Sequence, residues 1–142
     1  MNEVSTDKLE NELSEVSDIN DYLKKNSEYF VSVKLSDHLN KLLGAKNMTV
    51  ADIVTASGLN KGYVYQIFEG SKDKPSRDKL LAIALAMKLE YGDIQKLLKI
   101  ACMRSLYVRD ERDAMIIFAV KRHYTASDTN IMLHEHGFKA LE

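Results

Sequence analysis

The sequence predicts an all-α protein, and three observations carry that prediction. The 142 residues include one proline and six glycines, so the two residue types that most often interrupt helices are scarce. Apolar residues make up 45% of the chain and recur at helical spacing along most of it. Six methionines and no tryptophan suit the irregular gaps of a helical core. A chain of this length holds one domain, or one small domain with an appended unit. The pattern divides it into an acidic N-terminal helical arm (1–30), a central five-helix domain (31–102) and a C-terminal helix pair (103–142).

In the arm, Leu9, Leu13 and Val16 repeat at helical spacing, and Ile19, Tyr22 and Leu23 continue after Asp18. Such an arm can dock on the core, fray, join two protomers or lie over a basic face. Leu35, Leu39, Leu42 and Leu43 mark the next helix, with Ser36 as its expected N-cap. Thr49 and Asp52 then form a capping box for a helix whose inner face holds Ile53, Val54 and Ser57. Gly58 supplies the positive φ of a tight turn, and Leu59 packs inward after it. In the following helix Val64 and Ile67 point inward, while Lys61, Gly62, Tyr63 and Gln66 point out. Two helices meeting at a short glycine turn form the unit that lays its second helix in a DNA major groove.

The ordered set Thr49, Ile53, Gly58, Val64, Ile67 and Gly70 is followed by PSRDKLLAIALAMKLEYGDIQKLLKIA from Pro75. With these motifs, residues from about 35 to 102 resemble the phage-repressor type of helix-turn-helix domain, the Cro and lambda-repressor-like or XRE family. The resemblance covers roughly half of the chain. It implies a five-helix lambda-repressor-like fold, binding to double-stranded DNA and a role in transcription regulation. Four positions depart from the family pattern. Val54 replaces a small residue at the helix crossing, and Phe68 replaces a glutamate, which implies apolar packing there. Val50 and Leu43 stand where the family often has a Gln and an Arg that contact DNA.

Charge is distributed unevenly. The net charge of −1 divides into −5 for residues 1–30, +4 for 31–102 and zero for 103–142. Positive charge thus concentrates around the helix-turn-helix. Lys72, Lys74, Arg77 and Lys79 are expected beside the phosphates, where cations act without regard to sequence. Lys61, Tyr63 and Gln66 are expected at base edges, because a glutamine can pair in bidentate fashion with adenine and a tyrosine can meet a thymine methyl or a phosphate. Asn60 is expected to cap the helix and reach a phosphate. The candidate DNA-binding set is therefore Thr49, Asn60, Lys61, Gly62, Tyr63, Gln66, Lys72 and Lys74.

Beyond residue 102, Asp110 caps a helix from Glu111 to about His123 that is apolar almost all round, so it should be buried or shared with a partner. Thr125 to Asp128 is a second capping-box pattern, and Gly137 with Phe138 predicts a Schellman stop. The lone Cys102 lies in an apolar run and is expected as a buried small hydrophobe. No metal, nucleotide-loop or nucleophile–base spacing is present, so the expectation is a non-enzyme without a cofactor. One cysteine, no membrane-length apolar run and no signal pattern point to a cytoplasmic protein. The expected partners are double-stranded DNA, a second copy of the chain and a protein partner through 103–142. The competing function is an interaction adaptor or antitoxin-like partner that keeps the fold with weak or no DNA binding.

Overall fold

The computed structural model describes residues 5–25 and 34–142. Residues 1–4, 26–30 and 31–33, at the edges of the expected arm and central domain, lie outside the described residues. The protein is all-helical: α1 (Thr6–Glu15), α2 (Ile19–Lys25), α3 (Leu35–Ala45), α4 (Val50–Ser57), α5 (Lys61–Glu69), α6 (Arg77–Ala86), α7 (Tyr91–Ile100), α8 (Glu111–Lys121) and α9 (Ala126–Glu135). These helices divide into two compact units, Met1–Ser32 and Val33–Glu142.

The first unit is a small helical hairpin. Ser5 caps α1 by accepting from the Lys8 amide, and the Asp18 carboxylate accepts from the Asn20 amide at the start of α2. Tyr22 is buried, and its hydroxyl donates to the Leu9 carbonyl. Leu13, Ile19 and Leu23 are exposed, so much of the expected apolar repeat faces solvent.

The second unit is built around α6. Every residue from Leu80 to Met87 is buried, because α4, α7 and α9 all pack against this helix. That enclosure explains an apolar sequence with no polar face between Leu80 and Met87. Leu59, Val64, Ile67, Leu81, Ile83, Leu97 and Leu98 all enter the core as expected, and Phe68 joins them. Truncating any of these leucines or isoleucines to Ala should cost about 2–5 kcal/mol through lost burial and the cavity left behind.

The C-terminal pair belongs to the same compact unit as the helix-turn-helix. Helix α9 lies on α4 and α6, and α8 lies on α7 and α9. Ile116, Ala119 and Val120 are therefore covered within one protomer, which accounts for most of the apolar surface of α8. Two reciprocal ion pairs clamp α8 to the first turn of α6. Arg77 makes a bidentate contact to Asp113 at 3.0 and 2.9 Å, and Arg112 meets Asp78 at 2.8 Å. Arg77 also donates to the carbonyls of Arg104 and Ser105, and Arg112 to that of Lys139.

Three local expectations require correction. Ser36 does not cap α3; the N-cap is Lys34, two residues earlier, with no side-chain cap. Thr125 accepts from the Asp128 amide, but the return bond that would complete a capping box is not formed. Cys102 is exposed rather than buried, because it is the left-handed residue (φ 57°) that stops α7. Its amide donates to the Lys99 carbonyl and the next amide, Met103, to the Leu98 carbonyl, which turns the side chain outward.

Candidate nucleic-acid interface

The interface is organised from its caps. At the start of α4 the Thr49 hydroxyl accepts from the Asp52 amide, and the Asp52 carboxylate accepts from the Thr49 amide, completing the expected box. Gly58 ends α4 in the left-handed region at φ 72°. The buried Ser57 hydroxyl accepts from the Leu59 amide, which fixes the turn and drives Leu59 inward. Asn60 then caps α5 by accepting from the Tyr63 amide. A side chain at Gly62 would place its Cβ 3.2 Å from the Asn60 side-chain oxygen Oδ1, so the small residue keeps that cap unstrained.

Helix α5 is held from behind at both ends. Val64, Ile67 and Phe68 are buried, and the Asn40 amide group of α3 donates to the Ser36 and Phe68 carbonyls at 2.8 Å each. The Gln66 carbonyl accepts from the amides of Gly70 and Lys72 and from the Ser71 hydroxyl, so this one residue folds the start of the basic loop. Its side chain is exposed and makes no hydrogen bond among the described residues. Lys61, Gly62, Gln66 and Glu69 form the solvent-facing surface of the helix. Glu69 places a negative charge one turn beyond Gln66, a feature that the outward reading of the helix passed over.

Tyr63 has a different place from the one expected. It is half-buried, and its hydroxyl accepts from the Ser76 amide at 3.3 Å. The ammonium groups of Lys79 and Lys72 lie 4.2 and 4.8 Å from its ring centroid. Such contacts are worth about 0.5–1 kcal/mol at exposed sites. The ring therefore gathers two lysines, separated by seven positions in the chain, at the side of α5. Lys61 lies more loosely over Tyr65, at 5.8 Å.

The other basic residues part from this pair. Lys74 lines a cleft of about 690 Å³ with Lys34, Leu35, Gly70 and Cys102, beside the start of α3 and the end of α7. Arg77 turns inward to Asp113, so it does not join the basic surface as its sequence neighbours suggested. Burial alone would raise the Asp113 pKa. The hydrogen bonds from Arg77 and the Tyr107 amide, with the charges of Arg77 and Arg104, outweigh burial and hold the carboxyl below its ordinary value. Of the eight candidates, Lys61, Gly62 and Gln66 share the exposed surface of α5, Thr49 and Asn60 form caps, and Tyr63 and Lys72 form the ring cluster. Lys74 stands apart.

A glycine-turned helix pair, backed by three further helices and with a polar second helix at the surface, defines a helix-turn-helix domain. Residues 38–99 match the family model described as the Cro/C1-type HTH DNA-binding domain, which agrees with the resemblance carried by Thr49 to Pro75. The comparison with curated proteins and that with solved structures found no match. Among the described residues, no helix is long and apolar enough to cross a membrane.

Proposed function

We propose that this protein is a sequence-specific, double-stranded DNA-binding transcription regulator that acts as a homodimer. The observation that carries the reading is the convergence of Lys72 and Lys79 on the Tyr63 ring beside the exposed surface of α5. Two ammonium groups brought to one ring repel each other, and a phosphate between them relieves that repulsion. With the cluster at the backbone, Lys61 and Gln66 lie nearest the base edges, and the capped starts of α4 and α5 at Thr49 and Asn60 offer N–H groups and polar side chains to phosphates. Lys74 extends the positive field.

The test is a titration of specific and random duplexes at two salt concentrations. Gln66→Ala should weaken the preferred site by about 1–3 kcal/mol and leave random DNA nearly unchanged. Lys72→Ala should weaken both alike and reduce the salt slope by about one unit. No binding by the unaltered chain at low salt would overturn the reading. An interaction adaptor or antitoxin-like partner is the second reading, favoured by Arg77 turning inward and by Glu69 on the outer surface of α5.

A further inference from the structure

We propose that the outer stripe of α8 is the surface through which two copies of this chain pair, antiparallel and across a two-fold axis. The proposal builds on the dimeric regulator above and specifies its interface. Glu111, Ala114, Met115, Phe118 and Arg122 recur at intervals that place them within about 100° of the circumference of a helix. The opposite side of α8 is in the core, where Asp113, Ile116 and Val120 are buried. Phe118 remains 41% exposed although Ala119 beside it is fully buried. Ala114 and Met115 are half-buried, and with Phe118 they line an open, mostly apolar cleft with Met132 of α9 and its C-cap His136.

The charges at the two ends select the occupant. Glu111 opens the helix and Arg122 closes it, and neither has an ion-pair partner among the described residues. Arg122 instead lies over the Phe118 ring at 4.0 Å. Glu111 pairs with Arg122 about a midpoint between Ile116 and Ile117, and Met115 pairs with Phe118 about the same midpoint. A two-fold axis there brings Glu111 to Arg122 of the second copy and Met115 to Phe118 of the second copy, twice over. Parallel pairing would bring like charges together, so the charges favour one orientation. The stripe alone is smaller than the roughly 800 Å² per partner of a standard interface. The cleft residues of α9 must therefore contribute, and the dimer is expected to be weak, on the order of micromolar.

Sedimentation equilibrium of the full chain tests this, with circular dichroism confirming that each variant folds. The unaltered chain should show a reversible monomer–dimer equilibrium, and Phe118→Ala should raise its dissociation constant on the order of tenfold. Glu111→Arg should also weaken the dimer, and adding Arg122→Glu should restore it. Rescue is the decisive result, because charges that merely serve their own helix dipole would not produce it. A monomer throughout, or a dimer indifferent to all these variants, would overturn the proposal. A monomer that still binds its DNA site removes this interface and leaves the DNA reading standing; a dimer that binds no duplex does the reverse.

Discussion

Asp113 is 1% exposed, and its carboxylate accepts from Arg77 and from the Tyr107 amide while Arg104 lies 3.5 Å away. Because its folded pKa lies below the unfolded 3.8, its contribution to stability is present above that value and lost as pH falls through the lower folded one. Asp113→Asn should therefore destabilise the protein at neutral pH by about 3 kcal/mol, leaving Arg77 without its counter-charge. It should also flatten the acid side of the stability profile, as urea unfolding at several pH values would show. Tyr63 supports a second expectation at this scale. Tyr63→Phe keeps the ring that gathers Lys72 and Lys79 and should leave DNA affinity nearly unchanged, whereas Tyr63→Ala should weaken binding to every duplex. Equal losses in the two variants, measured by duplex titration, would contradict this role. The pairing of Asp113 was not legible in the sequence: Arg77 sits in a basic stretch, and the carboxylate that turns it inward lies 36 positions away.

At the scale of the helix, starts were easier to read than stops. Thr49, Asn60 and Asp110 cap as their side chains predict, because an N-cap is a local bond between a short polar side chain and an amide three residues on. The C-termini use a device that depends on backbone conformation. Four helices end at non-glycine residues with positive φ: Asn47, Lys88, Cys102 and His123. At each, the following amide reaches back to a carbonyl of the last turn, as Leu89 does to Ala84. At Gly58, Gly70 and Gly137 the residue type itself suits the left-handed stop, and at Gly137 Phe138 folds back on the Leu133 carbonyl as expected. Holding an L-residue in this conformation costs about 1–2 kcal/mol. Lys88→Gly should thus stabilise the protein, by up to about 1 kcal/mol once the freer unfolded chain is included. A fall in melting temperature would show that the lysine stem contributes packing that outweighs the strain.

For the whole molecule, the helix-turn-helix was legible because its signals are local and agree along one segment, from Thr49 to Gly70. The placement of the C-terminal pair was not. The apolar girth of α8 suggested burial or a partner, and the sequence had no means of showing that α7 and α9 cover most of it. Cutting the chain after Met103 would uncover α6 where α9 packs, and would remove Asp113 and Arg112 from their partners. The shortened chain should lose most of the roughly 5–15 kcal/mol typical of a small domain, with calorimetry showing a weak or absent transition. A sharp transition near that of the full chain would show that the central helices hold without α8 and α9.

The four residues from Ser76 to Lys79 divide between two neighbours. Ser76 and Lys79 engage Tyr63 of α5, while Arg77 and Asp78 engage Asp113 and Arg112 of α8. One helical turn is thus a splice between α5 and the C-terminal pair. A displacement of α8 at these contacts is expected to reach Lys79 and the Tyr63 ring across that single turn, as in a mechanical linkage. Two guanidinium–carboxylate contacts hold that splice together, beside the packing of α9 on α4 and α6.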